Sequence, residues 1–352
     1  MSSPSIPAGS SPQSIRDVEH LEDLLSLPPQ GVIEAVSRLE GDYIVLGVGG
    51  KMGPTLARML RRAADIAGVK RRVIGVSRFS SPELPASLQK HHIETISCDL
   101  LDQQAIDRLP EVPNVMFMAG MKFGTTGQQA RTWAMNAYLP GMVSRKFRQS
   151  RIVAFSTGNV YPMVPVHTGG CTEAHEPKPQ GEYAMSCLGR ERVFEHFSRS
   201  LGIPMAIIRL NYAVEMRYGV LIDLTQRIHR AEPIDLAMGN LNAIWQADAN
   251  AAAIRAFEHV SSPPWLLNVT GPEILSVRSL CEDLGRHLGK EPTFIGSESP
   301  SAYLNNATLC HDLFGYPTVT IRQLLAWTAD WVKRGGDTLG KPTHFETRDG
   351  KF

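Results

Sequence analysis

Several features are missing from this 352-residue chain, and each absence narrows what it can do. Its 36 basic and 35 acidic residues leave a formal net charge of only +1, so it carries no electrostatic footprint for nucleic acid and no polybasic patch for a membrane surface. No apolar run approaches the ~18 residues that a bilayer span requires. The five cysteines, Cys98, Cys171, Cys187, Cys281 and Cys310, are scattered and odd in number, with no CxxC pair. They read most simply as reduced thiols in a cytoplasmic protein. Residues 1–14 are rich in Ser and Pro, lack the apolar core of a secretory signal and read as a disordered tail. There is no internal repeat. Ser156 does not sit in a G-x-S-x-G elbow, which removes a hydrolase. The run His167-x3-Cys171-x3-His175-Glu176 has residue types that suit zinc, but no helix or knuckle spacing fixes the ligands, and no metal site is expected.

What is present is an ordinary globular composition, 43% hydrophobic and 20% charged, in a chain long enough for one large α/β unit or two lobes with a cleft between them. Its most informative stretch runs from Tyr43 to Gly53. A short apolar strand leads into Gly47, Gly50 and Gly53, with Lys51 and Met52 between the last two, and then into a helix. Gly47 permits the tight turn off the strand, Gly50 lets backbone approach a pyrophosphate, and Gly53 lets the helix pack on the sheet with its N-terminus aimed at the phosphates. A glycine triplet alone is a weak signal, since a Gly-rich turn looks the same. Downstream, strands expected at 43–46, 72–76, 93–98, 115–118, 151–156 and 205–210 alternate with helices at 54–67, 103–109, 128–148 and 183–200. That alternation predicts a Rossmann-type doubly wound parallel sheet with helices on both faces, its ligand beyond the carboxyl ends of the strands. Residues 15–40 carry helical periodicity broken at Pro28-Pro29 and should cover the sheet or a partner subunit.

At the end of the second strand an Asp or Glu would bond the 2′-hydroxyl of NAD. This chain has Ser77-Arg78 instead, a hydroxyl and a guanidinium that suit a 2′-phosphate, so NADP is preferred and NAD remains possible. A solvated surface arginine is the bland alternative. Asp99-Leu100 follows the third strand, where Asp99 either accepts from the adenine amino group or caps the next helix. Ala119-Gly120-Met121-Lys122 follows the fourth, where small residues let backbone lie along the cofactor and Lys122 reaches ribose or phosphate.

With these glycines, Asp99, Ala119-Gly120, Asn136 and Phe155-Ser156-Thr157-Gly158-Asn159-Val160-Tyr161-Pro162 on the page, the chain resembles the extended short-chain dehydrogenase/reductases, the NAD(P)-dependent sugar epimerase/dehydratase family, over about residues 42–332. Met118-Ala-Gly-Met-Lys122 looks like the corresponding loop of UDP-galactose 4-epimerase. The resemblance implies cofactor contacts from Asn136, Ser156 and Asn211. It also implies a catalytic hydroxyl pair: Thr157 after the fifth strand, and Tyr183 at the head of a Tyr-x-x-x-Lys motif. The lysine is absent, and Cys187 stands in its place. An ammonium about 4 Å from the phenol, at an effective dielectric near 20, favours phenolate by roughly 4 kcal/mol, or about three pKa units. A thiol supplies none of that.

Three explanations are open: another cation substitutes, either Lys122 from the opposite wall or Arg190 two turns along the helix; the reaction needs only a weak base; or hydride chemistry is lost and the chain is a non-catalytic dinucleotide-binding redox sensor or regulator. Retained chemistry is preferred, with Thr157, Tyr183 and Lys122 as the catalytic set. The family's 4,6-dehydratases place acidic residues after the Ser/Thr, and Gly158 and Asn159 stand there, so elimination is not expected. Gly158, Asn159, Tyr212 and Arg217 are the candidate substrate contacts, Arg217 for a carboxylate or phosphate unless it pairs with Glu215. His175 or Glu173 is a further candidate substrate contact, and Asp248 either caps a helix or touches ligand.

The expected organisation is a disordered tail at 1–14, a helical extension at 15–40 and a cofactor domain at 41–210. A substrate lobe at 211–340, with some return to the core, and a tail at 341–352 complete it. The expected activity is oxidoreduction or epimerisation at a hydroxyl or carbonyl of a sugar, sugar acid or nucleotide sugar. The protein would be a cytoplasmic homodimer paired through the helices at 128–148 and 183–200.

Overall fold

The computed structural model describes residues 12–122 and 127–350. Seven parallel strands form the central sheet: β1 (Tyr43–Leu46), β2 (Val73–Ser77), β3 (Glu94–Ser97), β4 (Asn114–Phe117), β5 (Arg151–Thr157), β6 (Met205–Leu210) and β7 (Trp265–Val269). Their order is β3-β2-β1-β4-β5-β6-β7. Alternate residues of each inner strand enter opposite cores. Tyr43, Val45, Met116, Val153 and Ile208 face one side; Ile44, Leu46, Val115, Phe117, Ile152 and Ala154 face the other. Burial on both faces explains why these strands read as continuous apolar runs. The strand order reverses between β1 and β4, which opens a crevice at their carboxyl ends.

The helices are α1 (Val18–Leu25), α2 (Gln30–Arg38), α3 (Gly53–Ile66), α4 (Glu83–Lys90), α5 (Gln103–Asp107), α6 (Gln129–Trp133), α7 (Leu139–Lys146) and α8 (Gly181–Leu201). They continue with α9 (Val220–His229), α10 (Gln246–Arg255), α11 (Val277–Leu288), α12 (Thr308–Phe314) and α13 (Ile321–Lys333). α1 and α2 bury Leu21, Leu25, Val32 and Val36 in the same core as β1, so the N-terminal extension covers the sheet. Arg58 of α3 ties it down through Glu22 and Asp23, at 3.0 and 2.7 Å.

The structure differs from the sequence reading in four places. Helix α4 was not expected. The single helix expected at 128–148 is three pieces, α6, a π turn over Ala134–Tyr138 and α7. Pro140, at the start of α7, has no amide to continue an α ladder. Of the disordered tail expected at 1–14, residues 1–11 lie outside the described residues, while the Pro12 carbonyl accepts the Trp327 indole at 2.8 Å. The tail expected at 341–352 is docked as far as Gly350, and residues 351–352 lie outside the described residues. Phe345 is buried, Thr343 bonds Asp223, and Arg348 bonds Ser301.

Candidate active site

Gly47 leaves β1 with φ +91°, and a Cβ there would sit 2.6 Å from the Ala119 nitrogen, so glycine is demanded where the loops after β1 and β4 meet. Gly53 is demanded too, because its Cβ would fall 2.7 Å from Val48 Cα. Gly50 is different. It is exposed, and nothing comes closer to its notional Cβ than the Gly47 oxygen at 3.4 Å. The fold does not ask for glycine there, whereas a group approaching the backbone from outside would. With the amides at the start of the 14-residue α3 beside it, this cradle fits a dinucleotide's diphosphate.

Around the cradle the predicted contacts divide. The Ser77 hydroxyl accepts from the Phe79 amide at 3.3 Å and faces Gly49, while Arg78 is exposed at the strand end. Asp99 does not cap α5. It accepts from Leu101 N at 3.0 Å, and Asp102 is the cap, accepting from Gln104 N at 2.9 Å. The Leu100 side chain is in the core. Asn136, buried in the π turn, clasps Met121: its Oδ1 accepts from Met121 N at 2.9 Å and its Nδ2 donates to Met121 O at 3.0 Å. Asn136 therefore fixes the Ala119-to-Lys122 loop.

Thr157 ends β5 and Tyr183 lies in the first turn of α8. The Thr157 hydroxyl and the Cys187 thiol are the polar groups of β5 and α8 nearest in effect to the phenol. The Lys122 Nζ lies 5.7 Å from the centre of the Tyr183 ring. Arg190 turns under Gly120, donating to Phe155 O and Asn136 Oδ1, both at 2.7 Å, and to Asn136 O at 3.4 Å. Burial pushes the Tyr183 phenol well above its ordinary range. Cys187 adds to the rise, while Arg190 and the Thr157 hydroxyl oppose it. Burial also brings the Lys122 ammonium down to about 8, against the pull of Cys187 and Asp223. In the protein alone, neither cation outweighs burial at the phenol. Tyr183 keeps its proton at neutral pH, so this arrangement can donate a proton to an oxygen more readily than remove one.

The model of the NAD dependent epimerase/dehydratase family matches residues 43–262, more than half of the chain. The chain belongs to that family. No curated protein matches it. Among solved structures it is similar to UDP-glucose 4-epimerase of Thermotoga maritima, with 18% identity, TM-score 0.68, and 84% of this chain and 99% of that one covered. It is similar to UDP-glucuronic acid 4-epimerase of Bacillus cereus, solved with NAD, with 18% identity, TM-score 0.69, and 83% and 97% covered. It is also similar to a dTDP-glucose 4,6-dehydratase of Streptomyces venezuelae, solved with NAD, with 17% identity, TM-score 0.71, and 83% and 97% covered. At these identities the neighbours establish the fold, a seven-stranded parallel sheet flanked by helices, and the family is NAD dependent.

Within this family frame several expected contacts are engaged elsewhere. Ser156 donates to Glu191 Oε1 at 2.6 Å, which turns its hydroxyl into the core. Glu191 is ion-paired with Arg209 at 2.7 Å, and Arg209 also donates to the Tyr161 hydroxyl at 2.6 Å. Asn211 is buried, with its amide 3.4 Å from Tyr303 O. Arg217 is held by Glu215 at 3.0 Å and Glu22 at 3.1 Å, so its guanidinium is committed to two carboxylates instead of facing the crevice. Glu173 accepts from Asn268 N of β7, and His175 Nδ1 lies 3.0 Å from Thr172 N within its own loop. Asp248, inside α10, takes Thr318 N and Oγ1 and caps no helix. Among the described residues, no group of three or more His, Cys, Asp or Glu could hold a metal ion.

Sequence reasoning missed Asn305. It is 2% exposed, neither of its amide atoms has a partner, and it packs so close to Gly158 that a Cβ there would fall 2.6 Å from its oxygen. No local motif marks it, because the contact spans more than a hundred residues of chain. Asn159 contributes its amide to Thr157 Oγ1 at 3.2 Å and so orients that hydroxyl. Tyr212 is strained, with φ +40°, and burial raises its phenol.

Proposed function

We propose that this protein is a nicotinamide-dependent oxidoreductase or epimerase acting on a hydroxyl or carbonyl of a sugar, sugar acid or nucleotide sugar. The observation that carries this reading is the Tyr183 phenol set with the Thr157 hydroxyl at the carboxyl end of β5, beside a glycine loop in which the fold alone does not require Gly50. The bound coenzyme would supply the hydride acceptor and donor. Gly50, Lys51 and Met52 would meet its diphosphate, and the Ala119-to-Lys122 loop would lie along it. Ser77 and Arg78, with no carboxylate between them, favour NADP and leave NAD possible. Thr157 and Tyr183 would take the reacting oxygen, Tyr183 delivering its proton there, with Lys122 as the electrostatic substitute for the missing lysine. A phenol that holds its proton suits carbonyl reduction. We place the protein in the cytoplasm as a homodimer; among the described residues no helix is long and apolar enough to cross a membrane.

One observation favours the second reading, a non-catalytic dinucleotide-binding sensor: Cys187 and burial both push the phenol the wrong way for a general base. Both readings meet the same experiment. The purified protein is titrated with NAD and NADP, and the near-ultraviolet absorbance of reduced nicotinamide is followed on adding a broad carbohydrate panel. Dinucleotide binding with an absorbance change supports the enzyme. Binding without change across the panel supports the sensor, and no binding of either dinucleotide overturns both. Tighter NAD than NADP would remove the role given to Arg78.

A further inference from the structure

One short stretch of the C-terminal half, residues 303–306, lies across the carboxyl ends of β5, β6 and β7. The side-chain amide of Asn211, just past β6, donates to Tyr303 O at 3.4 Å. Asn268, near the end of β7, donates through its side chain to Asn306 O and to Cys171 O, both at 2.9 Å. Cys171 in turn pins both flanks of Asn305: its N–H donates to Leu304 O and its carbonyl accepts from Asn306 N, both at 2.8 Å. The backbone N–H of Asn305 itself donates to Asn242 Oδ1 at 3.0 Å. The backbone on either side of Asn305 is therefore fixed, and it delivers the side chain onto Gly158, the residue that follows Thr157 at the end of β5.

All of these bonds serve the backbone, and none serves the Asn305 side-chain amide. Asn305 is 2% exposed, yet among the described residues neither its Oδ1 nor its Nδ2 has a hydrogen-bond partner. Most buried polar groups are paired, and an unpaired one costs the protein its desolvation. Glycine at position 158 is what makes room for the amide, since a Cβ there would stand 2.6 Å from Oδ1 and 2.8 Å from Nδ2. The polar side chains on the segments it touches, Thr157, Asn159, Asn211 and Asn242, are buried and uncharged. A carboxylate could only accept from such an amide and an ammonium could only donate to it, so either would leave half of it unpaired. A hydroxyl does both.

We propose that Asn305 is a specificity residue of the crevice, whose side-chain amide binds the hydroxyls next to the reacting carbon of a carbohydrate, Nδ2 donating to one and Oδ1 accepting from another. This rests on the reading of Thr157 and Tyr183 given above, which puts the reacting oxygen one residue away from Gly158. Both amide atoms are covered in the free protein, so the sugar reaches them through a small shift of the turn at Gly158–Val160 or of residues 303–306. The bonds formed there pair an amide that the free protein leaves unpaired. A sugar that lacks the hydroxyl gains nothing from the shift and is discriminated against.

The test uses the dinucleotide-loaded protein with glucose, glucuronic acid, UDP-glucose, UDP-glucuronic acid and their mono-deoxy analogues. Two variants are compared with the parent: Asn305→Leu, which keeps the shape of the side chain, and Asn305→Ala, which leaves nothing beyond Cβ to fit against Gly158. For a carbohydrate that the parent turns over, KM is expected to rise about tenfold or more in both variants, with kcat and dinucleotide affinity changed by less than about threefold. The parent should discriminate against the analogue lacking a hydroxyl beside the reacting carbon, and the variants should not. Asn305→Leu should melt no lower than the parent, because it removes an unpaired amide and no bond. A fall of kcat and melting temperature together in both variants would show that the amide only holds the turn after Thr157, and would overturn the proposal. So would an unchanged KM, or discrimination that persists in both variants. Turnover of none of these carbohydrates by the parent would sink the broader reading instead, and that result is read before any variant is compared.

Discussion

Tyr183 and Cys187 stand one turn apart on α8 and pack together, so the group beside the phenol is a buried thiol. The thiol lies in a small pocket with Val160, Tyr161 and Cys171. It adds to the rise in the phenol's pKa and cannot lower it at any pH at which the protein is folded.

Replacing Cys187 by Lys tests what that exchange does. An ammonium about 4 Å from the phenol would favour phenolate by roughly 4 kcal/mol at an effective dielectric near 20. The tyrosinate absorbance band of Cys187→Lys should therefore appear at lower pH than in the parent, and the alkaline limb of any activity profile should move with it. Dinucleotide affinity should change as well, because the new side chain enters the loop-facing side of α8. Unchanged titration, affinity and activity together would remove Cys187 from the site.

A second prediction concerns the network beneath the site. Arg209 and Glu191 are 3% and 4% exposed and bonded to each other, to Ser156 and to Tyr161. Removing one charge strands the other in a low dielectric, at a cost of about 3–5 kcal/mol. Glu191→Leu should lower the midpoint of thermal unfolding sharply. The double variant Glu191→Leu/Arg209→Met should recover much of that loss, since an apolar pair of similar volume leaves no charge behind. A double variant as unstable as the single one would show that the bonds to Ser156 and Tyr161 matter more than the charge balance.

How much of this was legible in the sequence follows from the range of the interactions. The glycine spacing, the strand alternation and the positions of Thr157 and Tyr183 are local patterns, and local patterns survive in sequence. The family's sequence model, like the reading from motifs, starts at Tyr43. What was not legible depends on partners far apart in the chain. Arg217 finds Glu22 across nearly two hundred residues, Asn305 finds Gly158, and Ser156 turns inward because Glu191 is there. The C-terminal segment looked like a tail because it has few apolar residues, yet one of them, Phe345, is buried and three polar side chains are clasped by α9 and Ser301. The π turn was hidden behind a helical periodicity that Pro140 interrupts by removing a donor, which leaves the pattern of apolar side chains unchanged.

A third prediction addresses assembly. Trp133, Tyr138 and Met185 are 36%, 64% and 47% exposed, and all three belong to the α6, π-turn and α8 face proposed to pair across a dimer. Apolar side chains grouped on one face are the usual mark of a contact surface. Tyr138→Lys should shift the mass measured by light scattering from dimer to monomer without changing the far-ultraviolet spectrum. A parent protein that is already monomeric at micromolar concentration defeats the pairing.

The last prediction follows from Lys51 and is a matter of sign. Its folded-state pKa of about 6 lies below the unfolded value of about 10.4, so between those limits the unfolded chain binds the extra proton. Stability from this group is present above the unfolded pKa and is lost as pH falls toward the folded one. Lys51→Met deletes that dependence. In the absence of ligand the variant should be more stable than the parent near pH 6, and the gap should shrink as pH rises toward 10. Melting curves across that pH range read the effect. A variant that is less stable than the parent at low pH would mean that Lys51 stays charged in the folded protein, with Asp223 and Glu215 outweighing burial and the two neighbouring lysines.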